Sequence, residues 1–199
     1  MLIKVFSELV LELLGRNSQD FLVDERVVIG TAQTIFGKLL NDKLKQGESI
    51  TGFYVPYIFD VQTDTVRNQK YITPFPKIMS IGDNDGIAQI GHVQNEYDGF
   101  LLLKPSQLSQ YSQLEAGQMG GMVAARPEGD KIYLVNIPFT TTQVLVKMIP
   151  QMLDLSEEEE MIGGSSELDA IVLDLTLQKF GVKLQMGEDK GNDGQPLKS

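Results

Sequence analysis

The sequence predicts an α+β protein whose helices and strands occupy separate parts of the chain. Three observations indicate this class. Apolar residues near the start recur every three or four positions, short β-branched and aromatic segments separated by turn residues fill the middle, and one more helical pattern lies near the end. We therefore expect an N-terminal helical hairpin, a central antiparallel domain resembling a β-sandwich, a C-terminal helix and a flexible tail.

The first 48 residues are predicted to form two antiparallel helices. Residues 2–14 have the pattern of an amphipathic helix, because apolar positions recur at spacings of three and four and charged ones fall on the opposite side. Gly15 is a suitable stop. A second helix is predicted to begin at a capping Asp24 and to end at Gly47.

The second predicted helix carries a face of small side chains. Gly30, Thr34, Gly37 and Asn41 are spaced by four and three residues and therefore share one side of the helix. Each glycine inside a helix costs about 1 kcal/mol relative to alanine, so this face indicates close approach of another backbone. The commoner source is the first helix, and the alternative is a neighbouring subunit. Gly30, Thr34 and Gly37 are therefore candidate interface residues.

Residues 49–153 are predicted to form an antiparallel β domain. Short segments rich in Val, Ile, Tyr and Phe alternate with turns such as DNDG and PEGD; the segments are GFYVPYIFDV, QKYIT, KIMSI, IAQIGHV, GMVAARP, KIYLVNI and QVLVKMI. The polar, Gln-rich loop 104–121 interrupts them. A loop of this length is usually functional or disordered, and its Leu108 and Tyr111 are candidate interface residues.

The C-terminal part divides into a helix and a tail. Residues 154–186 contain an acidic linker, SEEEE, followed by SELDAIVLDLTLQKFG, in which Ser166 can cap a helix that packs back on the rest of the chain. Residues 187–199 are nearly devoid of apolar side chains and are predicted to be disordered in isolation. Such a tail would act as an arm, ordered only in an assembly.

Composition excludes several classes of protein. The absence of cysteine excludes disulfides, thiolate nucleophiles and cysteine-based metal sites. The net charge of −10 argues against a protein that grips nucleic acid, since that grip comes from Lys and Arg at phosphates. The first fifteen residues carry charges and lack a small-residue cleavage site, so we expect neither a signal peptide nor a membrane span. The chain is expected to be soluble and intracellular.

No motif of catalysis, cofactor binding or metal binding is evident. The one histidine, His92, lies in an alternating strand pattern without a nucleophile motif, so we interpret it as structural. DNDG has the wrong spacing for a calcium loop, and GQMGGM leads into a strand, whereas a phosphate cradle requires a helix behind it. We predict no catalytic, cofactor or metal residues. A hydrolase using a carboxylate pair stays open as a minority hypothesis.

The stretch KYITPFPKIMSIG combines two prolines around one phenylalanine. Because proline cannot donate to a strand ladder, Pro74 and Pro76 belong at an edge or at the start of a strand. Phe75 between them is held extended with its aromatic ring directed to one side. The ring belongs either to the chain's own core, which is the commoner case, or to a neighbour. All three residues are candidate interface residues.

Residues 1–182 resemble the head-to-tail connector proteins of tailed bacteriophages. The features that carry the resemblance are the stretch KYITPFPKIMSIG, the N-terminal helices, KIYLVNIP and the closing helix SELDAIVLDLTLQKFG. The resemblance is one of layout, and it is strongest to the adaptor or ring proteins beneath the portal in crAss-like phages. It implies a structural virion protein of the neck or tail, made in the host cytoplasm, without enzymatic activity or cofactor.

The resemblance also implies partners. The chain would form a cyclic homo-oligomer of about twelve copies, contact the portal and neighbouring tail or ring proteins, and let DNA pass without specific binding. Contacts in this family would come here from residues 2–14, the loop 104–121 and the tail after Gly187. The alternative is a monomeric or dimeric β-sandwich binding or decoration module of a virion or cell surface, with the loop 104–121 as its recognition surface.

Overall fold

The computed structural model describes residues 1–17, 23–82, 86–103, 122–160 and 166–182. Along these segments the order of elements is two helices, nine strands in two sheets, and a third helix. This arrangement confirms the predicted α+β class with segregated elements. The loop 104–121 and the tail 187–199 lie outside the described residues.

Helix α1 spans Ile3–Asn17 and helix α2 spans Glu25–Lys45. The prediction that α1 stops at Gly15 is wrong, because the helix continues for two more residues. Gly15 is exposed with open space around its Cα, and an exposed glycine weakens a helix by only about 1 kcal/mol. A glycine therefore does not end a helix unless the backbone also changes conformation there.

The ends of α2 confirm the predicted cap and stop. The Asp24 carboxylate accepts a hydrogen bond of 2.7 Å from the backbone N–H of Arg26, which satisfies a donor that the helix leaves free. At the other end Gly47 has a φ of +76°, the left-handed conformation in which glycine commonly closes a helix. Its N–H donates to the carbonyl of Leu44 at 3.0 Å.

Helix α3 spans Ser166–Lys179 and packs against both N-terminal helices. In α3 the buried Asp169 carboxylate accepts a hydrogen bond from the α-ammonium of Met1. Between α1 and α2, the Ser7 hydroxyl donates to the Glu25 carboxylate at 2.5 Å, so α2 begins beside the N-terminal half of α1. The helices enclose one core, whose largest fully buried side chains include Phe6, Val10, Leu40 and Leu177.

The nine strands are β1 Val55–Asp60, β2 Gln62–Asp64, β3 Gln69–Ile72, β4 Ile87–His92, β5 Asn95–Gly99, β6 Leu101–Leu102, β7 Ala124–Glu128, β8 Lys131–Val135 and β9 Gln143–Met148. The first sheet has the order β1-β9-β4-β5 and the second β2-β3-β8-β7-β6. All pairs are antiparallel except β6 with β7, which is parallel.

The two sheets enclose a second core, as expected of a sandwich. Ile90, Val144 and Val146 come from the first sheet, and they share a buried cluster with residues of the second sheet such as Ile72 and Ile132. Each of these side chains is at most 2% exposed. Alternation along the strands directs the intervening residues of the second sheet to its outer face.

The prediction that KIMSI forms a strand is wrong. Its only ladder contact is an isolated antiparallel bridge between Ile78 and Pro150, directly after β9. The segment cannot extend along β9 because Met148 is already paired on both sides, with Val55 of β1 and with Ile87 of β4. KIMSI therefore connects the two cores: Met79 and Ile81 are buried in the helical core, together with Ile149.

A 3-10 helix at Met152–Asp154 follows this bridge and contacts α2. Met152 is buried in the helical core. Residues 77–81 and 149–154 thus form the connection between the helices and the sandwich. The division of the chain at residues 48, 153 and 186 stays a prediction.

Candidate interaction surface

A groove lies at one end of the sandwich, between residues 74–81 and the turn that joins β7 to β8. Its volume is about 360 Å³. Apolar and polar residues line the groove together; the apolar ones include Pro74, Ile78, Met79, Ile81, Ile87 and Ile132, and the polar ones include Lys77, Asp130, Lys131 and Gln151. The groove therefore offers both apolar and polar surface.

Backbone hydrogen bonds fix the wall of this groove. The N–H of Lys77 donates to the Asp154 carboxylate at 2.9 Å, and the N–H of Gln151 donates to the Lys77 carbonyl at 2.7 Å. The N–H of Met79 donates to the Ile149 carbonyl at 2.8 Å. Three hydrogen bonds therefore join residues 77–79 of this wall to residues 149–154.

Pro74, the first residue of the Pro-Phe-Pro motif, lines the groove. Pro74 and Pro76 are buried, whereas Phe75 is 69% exposed. The motif follows the last residue of β3, Ile72, and the Phe75–Pro76 peptide bond is cis. Burial of Phe75 in the chain's own core, the commoner expectation, is therefore wrong, and its contact with a neighbour stays a prediction.

A second exposed phenylalanine, Phe139, lies in the loop 136–142 between β8 and β9, and 90% of its surface is accessible. The Lys70 ammonium group donates to the carbonyls of Pro138, Phe139 and Thr141 at 3.1, 2.7 and 3.0 Å. It also lies 5.7 Å from the centre of the Phe139 aromatic ring. The loop backbone is thus fixed while the aromatic ring projects into solvent.

Phe139 was not predicted from the sequence. The signal that could have found it is NIPFTTT, where a proline precedes an isolated aromatic residue in a short polar connection. The same proline-aromatic order occurs at Pro74 and Phe75, which sequence reasoning did single out. In both places the aromatic side chain is exposed.

The outer face of the second sheet carries a cluster of aromatic and charged side chains. Tyr71 and Tyr133 are direct cross-strand partners, and their aromatic rings lie 5.9 Å apart. The guanidinium groups of Arg67 and Arg126 lie 5.0 and 5.4 Å from the Tyr133 ring, and the Lys131 ammonium lies 4.4 Å from the Tyr71 ring. Sequence reasoning missed this cluster because its residues come from three strands and one turn.

Carboxylates neutralise part of this positive charge. Arg67 donates to both oxygens of Glu128, at 3.0 and 3.3 Å, and Arg126 donates to the same carboxylate at 3.0 Å. The hydrogen bond from Arg67 is the main reason that the pKa of Glu128 lies below its ordinary value, and the same pair raises the pKa of Arg67. The pKa of Asp64 is lowered chiefly by the backbone N–H of Arg67. The face therefore presents Tyr133 beneath two arginines that Glu128 holds in place, and Tyr71 beneath Lys131.

The small-residue face of α2 has neighbours other than α1. A Cβ on Gly30 would lie 3.9 Å from the side chain of Leu153, in the 3-10 helix. Farther along, the Asn41 side chain accepts a hydrogen bond of 3.0 Å from the N–H of Gly82. A Cβ on Gly37 would meet nothing within 4 Å. Packing against α1, the commoner explanation for this face, is therefore not what these glycines provide.

The small-residue face of α2 and the Pro-Phe-Pro motif, both predicted to be interfaces, lie next to the same 3-10 helix, Met152–Asp154. Gly30 faces Leu153, and the residue after the Pro-Phe-Pro motif, Lys77, binds Asp154 of the same 3-10 helix. Thr34 is exposed, and its hydroxyl donates back to the Gly30 carbonyl at 2.9 Å. The other two predicted interface residues, Leu108 and Tyr111, lie outside the described residues.

His92 ends β4, and its imidazole packs edge to face on Phe100 with the two ring centres 4.9 Å apart. Among the residues that the structure describes, no three His, Asp or Glu side chains converge to hold a metal ion. None of the helices in the described part of the chain is long and apolar enough to cross a membrane.

Comparisons with known proteins give no relative from which a role could be transferred. No family model matches this chain, and a search of curated proteins found no match. Its function is therefore inferred from the geometry of the groove, of the Phe139 loop and of the outer sheet face.

Proposed function

We propose that this chain is a structural virion protein that assembles into a closed ring of about twelve copies in the neck or tail of a tailed bacteriophage. The observation that carries the proposal is Phe139, which is 90% exposed on a loop that Lys70 holds in place. The backbone of this loop is already held in place and loses little freedom on binding, and its large exposed apolar side chain favours association with another protein surface.

The charge of the chain suits a channel through which DNA passes. Its net charge is −10, with 27 acidic and 17 basic residues among Asp, Glu, Lys and Arg. Like charge disfavours adhesion of the DNA phosphates to a channel wall, whereas a DNA-binding protein needs basic residues there. We propose no catalytic role and no cofactor. The proposed partners are further copies of the chain, the portal, and neighbouring tail or ring proteins.

Measurement of mass in solution tests this proposal. The purified full-length chain is analysed by light scattering after size exclusion across a concentration series, with and without the cognate portal protein, and the same fractions are imaged by negative stain. Subunit rings, either spontaneous or formed on adding the portal, are the expected result. A monomer or dimer that ignores the portal at every concentration would contradict the proposal.

The second candidate function is a monomeric or dimeric β-sandwich module that binds or decorates a virion or cell surface. The outer face of the second sheet favours it, because the guanidinium groups of Arg67 and Arg126 lie over Tyr133 and such planar groups suit stacking with a planar ligand. This function predicts that Arg126→Ser weakens adhesion of the protein to virions or host cells without changing its mass in solution. Loss of oligomers in the same variant would argue against it.

A further inference from the structure

We infer that the backbone nitrogen of Met1 is a modification-sensitive site that controls the docking of α3. Helix α3 packs on α1 and α2 while this nitrogen is a free ammonium group, and it undocks when an acyl group or a preceding residue converts the nitrogen to an amide. The inference is independent of the proposed function, because it concerns the folding of one chain and not its assembly.

The site is a buried ion pair between the first residue and α3. The Oδ2 atom of Asp169 accepts a hydrogen bond from the α-ammonium of Met1. Asp169 is 5% exposed, and Leu168 and Val172, near it on α3, belong to the helical core. The Met1 side chain packs against the same core. The carboxylate is therefore held away from solvent.

Asp169 has no substitute for this partner in the part of the chain that the structure describes. Its other oxygen, Oδ1, is buried and accepts no hydrogen bond there, and its one ion pair among the described residues is the pair with Met1. An aspartate is almost never fully buried unless it is paired. The amine of Met1 therefore supplies the positive charge that allows Asp169 to be buried.

Backbone hydrogen bonds hold the start of α1 in place. The N–H groups of Ile3 and Lys4 donate to the carbonyls of Glu159 and Glu157 at 3.1 and 3.2 Å. These bonds satisfy donors that the beginning of a helix leaves free. They also tie the start of α1 to the segment that precedes α3 in the sequence. The first residue is therefore positioned by contacts that do not involve α3.

Acylation changes the charge of this site. A free amine is a cation, whereas an acylated nitrogen is a neutral amide. Removal of one member of a buried ion pair leaves the other charge uncompensated, which is strongly destabilising. When α3 undocks, the Asp169 carboxylate returns to water and this penalty disappears. Loss of the cation therefore favours the undocked state of α3.

The effect should be confined to α3. This helix packs on the two other helices, and it adds Leu168, Val172 and Leu177 to their core. Among the described residues, α3 contributes none to the core between the two sheets. A single element can open locally at a lower free energy than global unfolding requires. Undocking of α3 therefore leaves the sandwich intact.

The test compares two forms of the full-length chain that differ only at the nitrogen of Met1. One form has a free amine, and in the other this amine alone is acetylated, as peptide mass mapping verifies. Hydrogen exchange at the amides of residues 166–179, followed by mass spectrometry, should be at least about tenfold faster in the acetylated form. Exchange in β8 and β9 should stay unchanged. A chain with two residues placed before Met1 should behave like the acetylated form.

A substitution of Asp169 distinguishes loss of charge from crowding by the acyl group. Asp169→Asn has no buried charge that needs the ammonium, so acetylation should change the exchange of α3 by less than about twofold in this variant. Glu167→Gln is the matched control, because Glu167 is an exposed carboxylate on the same helix. Acetylation should act there as it does in wild type. If Asp169→Asn does not fold, Asp169→Leu, which removes the polar group altogether, replaces it.

Three results would overturn the inference. They are equal exchange of α3 in the two forms, an acceleration that is as large in Asp169→Asn as in wild type, and an acceleration that extends equally to the strands. All measurements are made on dilute chain, below the concentration at which it assembles. A wild-type chain that stays monomeric with and without the portal would contradict the ring function and leave this inference standing.

Discussion

Tyr71 and Tyr133 lie directly opposite each other on β3 and β8, with their aromatic rings 5.9 Å apart on the outer face of the second sheet. Tyr133 is only 5% exposed, although it points away from the core between the sheets. Arg67 and Arg126 account for this burial, since their guanidinium groups lie over the Tyr133 ring. At Tyr133 the outer side of the second sheet is therefore covered by charged side chains.

Removal of the Tyr133 ring should destabilise the fold. Tyr133→Ala deletes a buried aromatic ring together with its contacts to Tyr71, Arg67 and Arg126, so we expect a loss of about 3 kcal/mol in the free energy of unfolding. Tyr133→Phe keeps the ring and loses only a hydroxyl whose hydrogen bond to Asp64 is long, at 3.5 Å, so it should cost less than about 1 kcal/mol. Urea unfolding measures both, and equal losses would contradict the role of the ring.

The pKa of Glu128 should depend on Arg67. Because the hydrogen bond from Arg67 is the largest cause of its lowered pKa, Arg67→Gln should raise the pKa of the Glu128 carboxyl toward its ordinary value. Arg126→Gln is the matched control and should raise it less, since Arg126 contributes smaller effects. Carboxyl carbon shifts in an NMR pH titration report both pKa values. A larger rise in Arg126→Gln would overturn this ranking.

The same pair gives stability a defined pH dependence. A carboxyl whose pKa is lower in the folded protein than in the unfolded chain stabilises the fold above the unfolded pKa, and this contribution is lost as pH falls through the folded pKa. The difference in stability between wild type and Arg67→Gln should therefore shrink on acidification as Glu128 becomes protonated. Added salt at neutral pH should shrink it as well, because the pair is exposed to solvent.

Lys70 should control the order of the Phe139 loop. Lys70→Met removes three hydrogen bonds to the carbonyls of residues 138, 139 and 141, and we expect a loss of about 1 to 3 kcal/mol in the free energy of unfolding. Faster hydrogen exchange at the amides of residues 139–142 should accompany it. Lys38→Met, at an exposed position of α2, is the control. Unchanged exchange in Lys70→Met would show that the loop is ordered by other contacts.

Local signals in the sequence predicted the parts of the fold that local physics determines. Asp24 and Gly47 act as the expected cap and stop of α2 because each supplies what a helix end requires. The segments of β1, β4 and β9 became strands because short runs rich in β-branched and aromatic residues suit an extended backbone within a sheet. In these places the sequence pattern and the tertiary structure require the same conformation.

Competition between segments explains what the sequence did not predict. KIMSI has the composition of a strand, but β1 and β4 already occupy both sides of β9. The interface candidates also depended on contacts with distant parts of the chain, which a local pattern does not reveal. Phe75 was recognised from its flanking prolines, whereas Phe139 is placed by a lysine about seventy residues away in the sequence, on β3, and no local pattern indicates such a partner.

Gly86 and Gly37 should respond in opposite ways to replacement by alanine. A Cβ on Gly86 would lie 2.1 Å from the Met79 carbonyl oxygen, a backbone atom that the groove wall holds in place, so Gly86→Ala should cost about 3 kcal/mol or more. Gly37 lies in α2 with nothing within 4 Å of its Cβ position, so Gly37→Ala should stabilise the helix by up to about 1 kcal/mol. Thermal and urea unfolding of the monomeric chain measure both changes. A destabilising Gly37→Ala would contradict the open space beside this glycine, and a neutral Gly86→Ala would mean that the groove wall can move.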